Sequence, residues 1–165
     1  RQVEITEAGN ADNSVFNNTI TVEADTDYTV VAAGHLGDGD QPFEVLTFVD
    51  DNSDVGDTDA RLRAVHVSPD APAVDITAGG GSPVLFDGVA YGQSGYTTVA
   101  GGDYTVEVRA DTDTNDGAIQ ASFDNVSLDA GTVYTAFAAG NLDPSNSPGG
   151  EAFDLIVVPD STDAN

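Results

Sequence analysis

Tyr104-Thr105-Val106-Glu107-Val108-Arg109 places an apolar residue at every second position, with Thr105, Glu107 and Arg109 between them. A period of two gathers the apolar set on one face of a half-buried strand. Leu62 and Ala64 alternate with Arg61 and Arg63 in the same manner. Residues 28–33 and 132–139 are small, aromatic or β-branched on both faces, which suits a central strand covered on each side. Further strands are predicted near 73–77, 83–86, 96–99, 120–128 and 153–158, with Gly, Asp, Asn and Pro clusters between them. No window carries an i, i+3, i+4 apolar stripe of helical length. The expected fold is all-β, an immunoglobulin-like antiparallel β-sandwich.

Self-similarity extends this reading. Val3-Glu4-Ile5 returns as Val106-Glu107-Val108, and Tyr28-Thr29-Val30-Val31-Ala32-Ala33-Gly34-His35-Leu36 returns as Tyr134-Thr135-Ala136-Phe137-Ala138-Ala139-Gly140-Asn141-Leu142. Phe43-Glu44-Val45-Leu46 then returns as Phe153-Asp154-Leu155-Ile156, in the same order. The segment from Arg61 to Gly102 has no counterpart upstream. The expected organisation is a tandem module with an incomplete first copy. Residues 1–50 form the C-terminal half of a first repeat, 51–60 an acidic linker, 61–159 a complete second repeat and 160–165 an acidic tail. A half copy presents an apolar face that must be buried somewhere. A cleaved half, a segment outside this stretch and a neighbouring chain are all open as its cover.

Residues 61–76 read RLRAVHVSPDAPAVDI. This resembles the opening signature of a widespread family of extracellular domains of unknown function (domain of unknown function 4397), written V-R-V-x-H-x-S-P-D-A-P-x-V-D. Gly102-Asp103-Tyr104-Thr105-Val106 and Tyr134–Gly140 match later strands of the same family. The resemblance implies a secreted or cell-surface β-sandwich, often in tandem, with no known activity and no catalytic residues. The first copy departs from the pattern, since it lacks its own SPDAP segment.

Charge narrows the setting. Four basic residues, all arginine, face twenty-nine acidic ones, for a net charge of −25 without any lysine. In dilute buffer such a surface repels itself and loosens the compact state. At molar salt the Debye length falls to about 3 Å, and the carboxylates act instead as a hydration layer with salt cations as diffuse counter-ions. The balance is expected of a protein from a hypersaline medium, a haloarchaeal one. It argues against nucleic acid and anionic membrane surfaces as partners, which require cationic patches. No apolar run approaches the ~20 residues of a membrane span. There is no cysteine, hence no disulfide framework. The chain begins at Arg1 without a signal-like segment, and is expected to be a processed or excised form of a secreted protein.

Four groups of residues are candidates for chemistry. His66, Ser68 and Asp70 invite a triad reading, but residues two apart on a strand stand parallel rather than converging. Ser68-Pro69-Asp70-Ala71-Pro72 is better read as a rigid turn, so His66, Ser68, Pro69, Asp70, Pro72 and Asp75 are expected to be structural. Metal is the better chemical candidate: Asp111, Asp113, Asn115 and Asp116 supply alternate oxygens as a calcium loop does. The loop lacks the glycine and terminal glutamate of the helix-flanked motif, because Asp116 and Ser122 hold those positions. Asn17 and Asn125 head Asn-x-Ser/Thr sequons and are glycosylation candidates. Tyr91 and Tyr96, in a Gly-rich stretch, are the aromatic pair for a carbohydrate platform. The functional expectation is a non-enzymatic secreted or cell-surface structural and adhesive module without a cofactor, whose partners are other surface proteins or its own copies. Its alternatives are a calcium- or carbohydrate-binding extracellular module, or a subunit of a strand-complemented assembly or filament.

Overall fold

The structure, a computed structural model, describes residues 1–37, 39, 41–146 and 150–160. It is all-β, and the chain divides into two units, Arg1–Asp51 and Asn52–Asn165. Among the described residues no helix is long and apolar enough to cross a membrane.

The first unit holds β1 (Gln2–Glu7), β2 (Asn10–Thr19), β3 (Tyr28–Ala33) and β4 (Glu44–Val49). They form two separate antiparallel pairs, β1 with β2 and β3 with β4. The mostly polar β2 carries no alternation that would announce it. It is held by backbone pairing to β1, with register shifts near Thr6. Ala33 alone among the unit's described residues is buried. Two-stranded ribbons that bury so little are marginal by themselves.

The second unit holds β5 (Asp59–His66), β6 (Val74–Ala78), β7 (Val84–Val89), β8 (Ser94–Ala100), β9 (Gly102–Ala110), β10 (Ile119–Leu128), β11 (Val133–Ala139) and β12 (Asp154–Pro159). One four-stranded sheet runs β10-β9-β6-β7 and the other β12-β11-β5-β8. Their apolar faces meet in one core. Ala60, Leu62, Ala64, Tyr134 and Ala136 come from the second sheet, and Val74, Ile76, Val106, Val108 and Leu128 from the first. Each large aliphatic or aromatic side chain buried there stabilises the fold by about 1.5–3 kcal/mol. The stretch that alternates at Tyr104–Arg109 lies in β9, with Val106 and Val108 in the core.

Several details differ from the sequence expectation. Residues 28–33, expected as a covered central strand, form β3, which pairs with β4 alone among the described residues. Arg63, on the expected polar face of β5, is fully buried. Strand β11 runs parallel to β5, with Thr135 opposite Arg63, so the sandwich is not antiparallel throughout. The strand order is not the immunoglobulin one, in which the first, second, fifth and fourth strands share a sheet. Here β5 has both edges taken, by β11 and β8, so it cannot pair with β6. Pleat alternation is the same whichever neighbour a strand has, so periodicity cannot tell the two orders apart. Finally, the expected linker and tail boundaries shift. Asp59 and the fully buried Ala60 belong to β5 rather than to the linker. Asp160 accepts hydrogen bonds from Thr135 Oγ1 at 2.9 Å, so it belongs to the sandwich rather than to a tail. The rest of the expected tail, 161–165, lies outside the described residues.

The β3–β4 pair of the first unit repeats several hydrogen bonds of the β11–β12 pair of the second. Thr29 Oγ1 donates to Asp50 as Thr135 Oγ1 donates to Asp160. The Glu23 N–H donates to the Tyr28 hydroxyl as the Asp129 N–H does to that of Tyr134. The Phe43 N–H donates to the His35 carbonyl and the His35 N–H to the Gln41 carbonyl, as the Phe153 N–H donates to the Asn141 carbonyl and the Asn141 N–H to the Glu151 carbonyl. Gly34 and Gly140 open these turns at φ +81° and +80°, and a Cβ at either would run into a carbonyl oxygen, of Pro42 or Ala152.

Candidate functional site

The signature segment leaves the end of β5 and turns at Ser68–Ala71, where the Ala71 N–H donates to the Ser68 carbonyl at 3.4 Å. Pro69 is buried and Pro72 exposed. His66 is buried, and backbone groups engage both of its ring nitrogens. The Ser68 N–H donates to Nδ1 at 3.3 Å, which leaves Nε2–H to donate to the Pro72 carbonyl at 2.9 Å. Burial lowers the His66 pKa below its ordinary value, and the Pro72 bond only partly opposes this. The Ser68 hydroxyl turns away from the ring and donates to Asp70 Oδ1 at 3.3 Å. Base and hydroxyl therefore do not meet as a triad requires.

Asp70 reaches across the sequence to the loop after β11. Its two oxygens accept from the Leu142 and Asp143 N–H groups, each at 2.8 Å. Burial alone would raise the Asp70 pKa, but the Asp143 and Leu142 N–H bonds overcome it and hold the carboxyl below its usual value. Arg63, seated on β5 and fully buried, ties the same strands further down. Its Nε donates to Thr135 Oγ1 at 2.9 Å, its Nη2 lies 3.9 Å from Asp160 Oδ2, and its guanidinium carbon lies 5.3 Å from the centroid of the Tyr96 ring. Arg63 and Asp70 thus clamp β5 onto β11 at two points.

A second cluster forms at the open end of the other sheet. Asp75 on β6, Asp87 on β7 and Asp111 after β9 each offer an oxygen, all within 4.8 Å of one another. Asp75 is fully buried; Gly88 N–H donates to its Oδ1 at 2.9 Å and Thr112 N–H to its Oδ2 at 3.1 Å. The Asn115 carboxamide lies 3.1 Å from Asp75 Oδ1 and 2.8 Å from Asp87 Oδ1. With its NH2 toward them it donates to both; with its oxygen toward them it adds a fourth oxygen for a cation. Desolvation raises the Asp111 pKa, reinforced by the charges of Asp75, Asp87 and Asp113. A hard divalent cation such as calcium suits this all-oxygen donor set.

The four loop residues expected to act together therefore divide. Asp111 and Asn115 join the cluster. Asp116 instead accepts from the Thr114 hydroxyl at 2.7 Å, and Asp113 is exposed. Asp75, read from sequence as part of the structural signature, is shared with this cluster, and Asp87 escaped notice altogether. A carboxylate inside the apolar run Val74-Asp75-Ile76 was the available signal, since buried carboxylates are rare unless paired.

The remaining candidates are scattered. Asn17 lies exposed on β2, and Asn125 is exposed at a bulge in β10 with φ +59°. Tyr91 meets His66 edge-on at 6.2 Å between centroids, while Tyr96 carries Arg63 on its ring. Both tyrosines thus pack on signature residues rather than forming a shared platform.

The family model described as Domain of unknown function (DUF4397) matches residues 1–77 and 78–165. The junction falls within β6, so the two matched segments do not coincide with the two structural units. No curated protein matches the chain.

Proposed function

The chain belongs to the DUF4397 family of domains of unknown function, and from that premise we propose that it is a non-enzymatic secreted or cell-surface structural and adhesive module. It works by packing against other β-modules in a high-salt medium. The observation that carries this reading is the first unit, whose two hairpins bury Ala33 alone among their described residues. The β3–β4 hairpin repeats bonds of β11–β12, and among its described residues the unit has no counterpart of β5–β8. Half a tandem sandwich is stable when something completes it. The signature residues support the same reading, because His66, Ser68 and Asp70 are engaged in holding loops. The net charge of −25 and the absence of lysine support a hypersaline setting.

Sedimentation velocity in molar KCl tests the packing role. Species heavier than the 16.9 kDa chain, growing with concentration, are expected. A strict monomer at every concentration overturns it. A second reading, a calcium-binding module, is favoured by the convergence of Asp75, Asp87 and Asp111 from separate parts of the chain. It is compatible with the first, as a cation there would brace the sandwich.

A further inference from the structure

Resting on the packing role above, we propose that the edge of β3 that faces away from β4, together with the turn at Gly34–Gly37, is a receptor for a β5-type segment of another module of this family. The segment carries an arginine and an SPDAP aspartate, spaced as Arg63 and Asp70 are.

The second unit supplies the template. There the matching edge of β11 takes β5 in parallel, with Thr135 opposite Arg63 and Ala136 opposite Ala64. Among the described residues, β3 pairs with β4 alone. The first contact point is the Thr29–Asp50 pair, which repeats the Thr135–Asp160 pair that receives Arg63. The second is the turn. Leu36 and Gly37 hold the places of Leu142 and Asp143, whose N–H groups donate to Asp70. The face between the two points is apolar and open. Val30 stands where Ala136 does, yet it is 48% exposed against 4% for Ala136, and Leu36 is 62% exposed.

Charge also favours this occupant. Arg1 is the only arginine or lysine of the first unit, whereas β5 holds Arg61 and Arg63, two of the chain's four basic residues. The chain's own β5 is committed, with β11 on one edge and β8 on the other. The occupant must therefore come from a further module, which adds its strand by β-augmentation.

The test uses the full chain and a fluorescent synthetic peptide with the sequence of residues 59–73, followed by anisotropy in molar KCl. Saturable binding is expected. Arg63→Ala or Asp70→Ala in the peptide should weaken it about tenfold or more, since each removes a charged group and leaves its hydrogen-bonding partners without it. Arg61→Ala, which removes a side chain that bonds Ser53 in the second unit, should bind as the parent peptide does. Asp50→Asn in the chain should abolish the dependence on Arg63. Absence of saturable binding overturns the proposal, as does equal weakening by Arg61→Ala and Arg63→Ala. So does a dependence on Arg63 that disappears with Asp160→Asn rather than Asp50→Asn. A chain that self-associates but ignores the peptide keeps the packing role and loses this receptor. A strict monomer that binds the peptide does the reverse.

Discussion

Arg63 Nε donates to Thr135 Oγ1 at 2.9 Å across the parallel β5–β11 pair, and both side chains are fully buried. The bond joins residues far apart in sequence and sits beside Asp160, at the point where the two ends of the sandwich close. Removing one partner of such a buried charged contact commonly costs about 3–5 kcal/mol, because the other groups stay desolvated. Arg63→Ala is expected to lower stability by about 3 kcal/mol in denaturant unfolding at high salt, and Arg63→Met by less, since its chain still fills the space. Equal unfolding midpoints for Arg63→Ala and the parent would contradict the clamp.

Asp70 should show itself in the acid limb of stability. Its carboxyl is held below the ordinary value of 3.8 in the folded state. A depressed pKa stabilises above the unfolded value, and that stabilisation is lost as pH falls through the folded one. Asp70→Asn should be less stable than the parent at neutral pH by about 1–3 kcal/mol. The gap should narrow below the ordinary value, and chemical denaturation at stepped pH measures it. A gap that stays constant into acid would contradict the Asp70 contribution.

His66 predicts a separate window. Its folded pKa lies below the ordinary 6.5, so the unfolded chain takes up the proton first. Stability is therefore whole above the unfolded value and declines as pH falls from there toward the folded pKa. His66→Asn should be less stable at neutral pH but flatter in this window. A His66 that titrates at its ordinary value by NMR would remove the effect.

Calcium should act through the carboxylate cluster. At constant high ionic strength, added calcium is expected to raise the unfolding midpoint, equivalent to about 2.7 kcal/mol at a hundredfold excess over Kd. Asp75→Asn should abolish the rise. Without calcium, Asp111→Asn should stabilise the chain, because it removes a charge beside Asp75 and Asp87. The raised Asp111 pKa gives the same sign: the parent gains stability from this group as pH falls through the folded value toward 3.8. An unchanged midpoint with calcium would leave the cluster without a metal role.

Stability as a whole should climb with salt. A net charge of −25 with four arginines makes self-repulsion the leading destabilising electrostatic effect. Unfolding midpoints measured from dilute buffer to molar KCl are expected to rise steeply at first and then flatten once the Debye length is about 3 Å. A flat profile would tell against salt adaptation.

Much of this was legible in the residues. Alternation at Tyr104–Arg109 and the two-faced runs at 28–33 and 132–139 place strands, because side-chain period depends on local backbone geometry alone. A turn at Ser68–Ala71 was legible too, since proline restricts neighbouring backbone, but the reach of Asp70 to the distant Leu142 and Asp143 N–H groups was not. The polar β2 was not, as its pairing with β1 comes from backbone hydrogen bonds that any side chain permits.

The sequence by itself determined an acidic, all-β chain in which the pattern of residues 28–36 returns at 134–142. Only the tertiary structure decided which strands are neighbours, that β11 lies parallel to β5, and that Arg63 and Asp70 clamp the two together. It alone brought Asp87 to Asp75 and Asp111, and separated Asp113 and Asp116 from them. The reason is physical. Period and turn chemistry are written in adjacent residues, whereas sheet order and convergent carboxylates depend on contacts between residues far apart in the chain, which no local pattern encodes.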